Sequence, residues 1–289
     1  MNATVPRGAP LPVLHRHGEG RRFCAYTGIP YVRLTLWHGV LMVVTFVLMT
    51  TAAGAQFQTY GSQLGVVATL IKWTPLLWQG FLLNLVMSII AMTVGTLLGA
   101  LLGLGQVSLL APIRVNSWIL TQIFRNSPWL VLLFYVMYLM PFEVTVFGTT
   151  IPLPDWMKAT FGFSLPVMAN VSEIVRGGIR SIPQAQWEAA RALAFARRQI
   201  LWMIIIPQCL KRMLPPWMNL YAILTMGTVL ANIVGVSEAL TMTREVLASE
   251  HRGELLLPFY GYILIWFFIY IFPIARLTVR LERKWAVAT

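Results

Sequence analysis

The sequence predicts an all-α integral membrane protein with about six transmembrane helices, and three observations predict it. The composition is 57% hydrophobic and only 11% charged, with mean hydropathy +0.70, whereas soluble domains carry roughly 25% charged residues. Four apolar runs reach the roughly 20 residues needed to cross a bilayer. Lysine and arginine collect in clusters that fall on one side of the membrane once six spans are counted, which marks that side as cytoplasmic.

Taken in order, a basic segment at 1–35, with Arg7, Arg16, Arg21, Arg22 and Arg33, precedes the first run at 36–55. Ala53-Gly54-Ala55 after that run resembles a signal-peptide cleavage site, but the long basic leader is atypical of such signals, so a retained span is expected. A loop at 56–79 follows on the opposite side. Within it, 64–71 is too short to span and is expected at the interface, with Trp73 and Trp78 anchoring the next helix. The second run is 81–105, and Arg114 follows it. A third, 117–140, is interrupted by Arg125-Asn126-Ser127-Pro128 and is expected to kink or break there. A fourth segment, 164–179, carries Asn170, Ser172, Glu173 and Arg176; hydropathy alone misses it, and orientation requires it. The runs 217–236 and 259–277 complete the set, and Arg276, Arg280, Arg283 and Lys284 close the chain through a tail at 283–289. The loops 56–80, 141–163 and 237–258 are poor in basic residues or balanced by Glu245, Glu250 and Glu254, so both termini are placed in the cytoplasm.

Composition and spacing also exclude. The formal net charge of +12 is accounted for by membrane orientation and arrives without aromatic interleaving or a known nucleic-acid module, so no nucleic-acid partner is read from it. Cys24 and Cys209 show neither a disulfide framework nor a zinc-site spacing and read as free thiols. His15, His17, His38 and His251 form no metal or nucleophile constellation, and no enzyme activity is expected. No G-x-x-x-x-G-K-S/T sequence is present, so nothing here binds ATP. Gly95, Gly99 and Gly103 repeat every four residues and read as a helix-packing stripe.

The stretch from Trp187 to Gln208 is a charged, alanine-rich interruption of a membrane chain. Ser181-Ile-Pro-Gln184 matches a capping box, which starts a helix near Ile182. Ala189, Leu193, Ala196 and Ile200 then share one face at helical spacing. By pattern alone this is equally a docking helix, its small residues admitting a close partner, or an interfacial helix lying on anionic lipid through Arg197, Arg198, Lys211 and Arg212.

Family resemblance separates the two. Glu188-Ala189-Ala190, then Ala194, then Ile204, Ile206 and Pro207 resemble the EAA loop of permease subunits in bacterial ABC importers, whose motif is E-A-A, three residues, G, nine residues, I-x-L-P. Ala194 replaces the glycine and Ile206 the leucine. Phe124-Arg-Asn-Ser-Pro128 resembles the F-R-G-T-P element of the polar amino acid branch. Ser172-Glu-Ile-Val-Arg-Gly-Gly-Ile-Arg-Ser-Ile-Pro183 resembles A-E-I-x-R-G-G-I-x-S-I-P, and Ile233-Val-Gly-Val-Ser-Glu238 resembles V-I-G-V-x-E. The match runs from Leu76 to Glu282. It departs where Met226, Gly227, Thr228, Val229 and Leu230 replace K-D-T-S-L, removing a charged pair, where Leu132 replaces a glutamine, and where Asn170 replaces a tyrosine.

The resemblance implies a five-helix type I ABC importer permease core at 80–282, with a cytoplasmic coupling loop at 181–212 and the 36–55 span as an addition. It implies a permease that pairs with an identical or homologous subunit in the bacterial inner membrane. Its other implied partners are an ATP-binding cassette ATPase dimer that holds the ATP and magnesium, and a periplasmic or lipid-anchored solute-binding protein; membrane lipids surround the bundle. The expected solute is an amino acid or related polar molecule. Glu188, Ala189, Ala190, Arg191, Leu193 and Ala194 are the expected ATPase-coupling residues. Glu188 alternatively serves only its own helix dipole.

Charged and amide groups within spans usually face the bundle or a water path. Asn170, Glu173, Asn84, Ser88, Thr228 and Asn232 are therefore candidates for the substrate path. Competing roles are a local Glu173–Arg176 pair and helix bridging by Asn84 and Ser88. Arg125 is read as snorkelling toward the cytoplasm. The alternative class is an ion-coupled secondary transporter, which is expected to show internal repeats and paired broken helices.

Overall fold

The computed structural model describes residues 65–146 and 149–285. The basic leader, the 36–55 run with its cleavage-like Ala53-Gly54-Ala55, the first part of the 56–79 loop and the last four residues of the tail lie outside the described residues. Element order is α1 Val66–Gln106, α2 Ala111–Asn126, α3 Trp129–Leu139, a hairpin of β1 Glu143–Val146 and β2 Thr149–Pro152, α4 Asp155–Arg180, and α5 Gln184–Ala192. After a single turn and a π-helical stretch at Ile200–Ile205 come α6 Ile206–Gly227, a 3₁₀ stretch at Thr228–Val234, α7 Ala239–Glu250, a 3₁₀ turn at Gly253–Leu255, and α8 Leu256–Trp285.

Three stretches among the described residues are long and apolar enough to cross a membrane: Val66–Gln106, Arg197–Val234 and Gly253–Trp285. The run at 117–140 does break. Ser127 and Pro128 are both extended (ψ 136° and 131°), splitting it into α2 and α3. A proline disfavours helical backbone in the residue before it, which is why the break falls there.

Two expectations are corrected. The helix placed at 81–105 starts at Val66, so 66–71 is not a separate interfacial piece and 66–79 is helix, not loop. Tertiary contacts hold these first turns: Trp73 Nε1 donates to Glu250 Oε1 (2.6 Å), Lys72 pairs with the same carboxylate (3.0 Å), and Thr74 Oγ1 lies 3.1 Å from the Tyr262 hydroxyl. The 237–258 loop likewise contains a three-turn helix, α7.

The centre of the bundle is α1 against α4. Gly95, Gly99 and Gly103 face α4 so closely that an added Cβ would lie 2.5 Å from Val167 Cγ1, 2.5 Å from the Met168 carbonyl oxygen and 2.6 Å from Val175 Cβ, respectively. Met87, Ala91, Phe163, Val167, Leu220 and Leu224 fill the shared core with α6. A second cluster, Leu77, Phe81, Val246, Phe259 and Ile263, joins α1, α7 and α8. A third, Ile179, Ile182, Ala190, Ile200, Ile205 and Cys209, anchors the loop helix α5 to the ends of α4 and α6.

Candidate coupling and translocation site

The loop helix is built differently from its sequence signature. Ser181 does not cap α5: its hydroxyl donates to Gly178 O (2.7 Å) and its N–H to Gly177 O, so it closes α4. Pro183 takes the N-cap position of α5 without a side-chain bond. The capping box is therefore unformed, because the carbonyls ending α4 lie nearer to the Ser181 hydroxyl. α5 stops at Ala192, and Ala194 adopts φ +58°. Ala194 N–H donates to Arg191 O and Phe195 N–H to Ala190 O, the paired bonds of a Schellman motif. The reversal also breaks the expected face, since Ala196 and Ile200 lie beyond the helix that carries Ala189. The turn keeps the left-handed shape that glycine favours even though alanine occupies it.

On α5, Ala190 is buried in the third cluster, while Glu188, Ala189 and Arg191 face out and Leu193 at its end is 73% exposed. The loop is strapped at both sides. Arg197 Nη2 donates to Val107 O at the end of α1 (3.1 Å), and Arg212 Nη1 of α6 donates to Ser181 O (2.7 Å).

Glu173 of α4 sits between two cations. Arg176 grips it through Nε and Nη2, and Arg125 Nη1, in the last turn of α2, lies 3.6 Å away. Arg125 thus reaches Glu173 as well as solvent. These groups line an open hollow of about 580 Å³ together with Asn170, Arg212 and Asn219. Asn170 holds its orientation by donating to Pro166 O (2.8 Å). The hollow presents three guanidinium groups and one carboxylate.

The remaining path candidates, Asn84, Ser88, Thr228 and Asn232, lie apart from this hollow. Asn84, Ser88 and Thr228 are fully buried. Asn84 Nδ2 donates to Thr228 Oγ1 and to Glu238 Oε2 (3.1 Å each), and its Oδ1 accepts from Ala239 N (3.1 Å). Ser88 donates to Leu85 O (2.8 Å) and lies 3.4 Å from the Tyr221 hydroxyl. Asn232 donates to Val229 O and receives Arg244. Asn84 and Thr228 satisfy each other and Ser88 is satisfied by Leu85 and Tyr221, as buried polar groups must be when water is excluded.

Glu238 is a fully buried polar residue to which the sequence assigns no role. Its carboxylate accepts from Leu240 N (2.9 Å) and Thr241 N (3.0 Å), so with Asn84 it occupies the first three donors of α7. Burial pushes its carboxyl above the usual range, against the pull of the Leu240 and Thr241 amides and the Asn84 side chain. Its only sequence signal was the last position of the Ile233–Glu238 element.

Folded this way, the chain is a multi-pass helical membrane protein whose bundle carries a solvent-facing helix between two spans. The fold resembles that of a solved amino acid ABC transporter, with TM-score 0.64 and 24% identity over 77% of this chain and all of that one. A MetNI methionine ABC transporter chain matches at TM-score 0.53 over 72% of this chain and 93% of that one, with 18% identity.

Residues 95–285 match the model of the binding-protein-dependent transport system inner membrane component family, and the chain belongs to that family. Relatives include the L-cystine transport system permease protein TcyB of Bacillus subtilis (strain 168), 29% identical over 72% of this chain and 88% of its own. The histidine/lysine/arginine/ornithine permease HisM of Escherichia coli (strain K12) is 28% identical over 74% and 92%. The putative glutamine transport system permease GlnP of Rickettsia bellii (strain RML369-C) is 31% identical over 67% and 84%. The protein is accordingly a membrane-spanning permease subunit of an ATP-binding cassette importer. The ion-coupled alternative finds no support in these relatives.

Proposed function

We propose that the protein moves an amino acid or related polar solute across the bacterial inner membrane, with a separate ATPase dimer docked on α5. The observation that carries this is a short helix whose Glu188, Ala189 and Leu193 are exposed while Ala190 seats it on α4 and α6. A helix so anchored moves with both spans. A partner holding Glu188 can therefore turn the bundle between inward-facing and outward-facing forms. The ATPase supplies ATP and magnesium, a solute-binding protein delivers cargo outside, and a second permease, identical or homologous, completes the path. Both termini face the cytoplasm in this arrangement. Relatives named for cystine, basic amino acids and glutamine support the solute class. The hollow around Glu173 and Asn170 is its inner mouth.

The test is the reconstituted complex in proteoliposomes carrying Glu188→Lys. Placing a cation against a cationic partner surface is strongly unfavourable, so uptake and uptake-coupled ATP hydrolysis are expected to fall at least about tenfold. A variant that assembles normally and keeps coupled hydrolysis overturns the docking role. Uptake of a panel of amino acids by the unmodified complex tests the solute class, and transport of none of them overturns it.

A further inference from the structure

The cytosolic end of the bundle holds a second cationic region, which adjoins the mouth around Glu173 through Arg176. Two adjoining hollows of about 270 and 310 Å³ lie between the end of α1, the start of α2, the end of α4 and the flank of α5. Arg114 and Arg180 line both, Arg191 and Arg197 line one, Arg176, paired with Glu173, lines the other, and no carboxylate lines either. Arg114 and Arg197 donate only to the backbone carbonyls of Ser108 and Val107, and neither Arg180 nor Arg191 has an ion-pair partner among the described residues. Cations gathered this way repel one another unless an anion joins them.

Two further features narrow the anion. Gln106 lines both hollows and is 2% exposed. Its Nε2 donates to Thr121 Oγ1 (3.0 Å) and Ser172 Oγ (2.7 Å). Thr121 gives its own proton to Ser117 O, and the Gln106 side chain also hydrogen-bonds the Glu173 carboxylate. Gln106 Oε1 is left as a buried side-chain oxygen without a hydrogen-bond donor. Such an atom can accept from a hydroxyl or amine of an occupant. The rim, meanwhile, is greasy: Leu109 is 68% and Trp118 51% exposed. A soluble phosphate has no use for that rim, whereas a phosphate joined to hydrocarbon fits it.

We propose that this region seats the headgroup of an anionic glycerophospholipid of the inner leaflet. Its phosphate meets Arg114, Arg180 and Arg197, a headgroup hydroxyl donates to Gln106 Oε1, and the acyl chains lie along the outer face of α2. The site joins α1 to the flank of α5, so an occupant bridges the bundle and the loop helix.

Native mass spectrometry of the full-length protein, released from micelles holding equal phosphatidylglycerol and phosphatidylcholine, tests this. Preferential retention of phosphatidylglycerol is expected. An Arg114→Gln/Arg180→Gln variant should lose it about tenfold, Arg114→Lys/Arg180→Lys should keep most of it, and Arg283→Gln, remote in the last turn of α8, should not change it. Should the double variant not remain monodisperse, Arg180→Gln alone carries the same expectation in direction. Equal retention of the two lipids, or unchanged retention in the glutamine variants, overturns the proposal. Displacement of the lipid by excess inorganic phosphate marks a soluble-anion site and overturns the lipid assignment.

Discussion

Ala194 holds a backbone conformation that costs a residue with a Cβ roughly 1 kcal/mol relative to glycine. Ala194→Gly is therefore expected to stabilise the detergent-solubilised protein by about 1 kcal/mol, read as a raised Tm with the turn unchanged. Glu250 gives a pH-dependent counterpart. The Trp73 indole and then Lys72 hold its carboxyl below the ordinary value of 4.5. A depressed carboxyl stabilises the fold fully above 4.5 and loses that contribution as pH falls through its folded value. Thermal melts from pH 6 downward (about two units suffice) should show a drop below 4.5 that Glu250→Gln flattens. At this scale the sequence was partly legible. The exposure of Glu188 follows from its place in a polar, alanine-rich helix. The burial of Asn84 did not, because its partners Thr228 and Glu238 are 144 and 154 residues away.

Among elements, the contact of α1 with α4 depends on three missing side chains. A Cβ at Gly99 meets a backbone oxygen at 2.5 Å, which cannot rotate aside. Gly99→Leu should destabilise by at least about 3 kcal/mol, measured as loss of monodisperse protein on heating, while Gly177→Leu, with open space around its Cβ position, should not. The stripe could be read from four-residue spacing, and the break before α3 from Ser127-Pro128. The start of α1 could not. Lys72, Trp73, Thr74 and Pro75 look like an interfacial border in one dimension, and only Glu250 and Tyr262, far along the chain, turn them into helix interior. The capping signal at Ser181 failed for a related reason: two helix ends compete for one hydroxyl, and the preceding helix holds it.

Across the molecule, the proposed function makes the open hollow around Glu173 the feature that a change of state closes. In the complete complex, a cysteine placed at Asn219, with Cys24 replaced by serine and the native Cys209 buried, should label several-fold more slowly once a non-hydrolysable nucleotide closes the ATPase. Unchanged labelling shows that this mouth is not gated. The family and its branch motifs were legible because they lie in short ordered strings, whereas the hollow, assembled from α2, α4 and α6, is legible only in three dimensions. One further consequence concerns α1. It turns apolar side chains outward from Val67 to Leu101, a rise of about 50 Å, although the oily slab of a bilayer is only about 30 Å thick. A rod too long for its slab must lean, bend at Pro75 or draw the surrounding lipid up along itself. Thickness of the host membrane thereby becomes an input in its own right, setting the resting lean of the element against which α4 is packed.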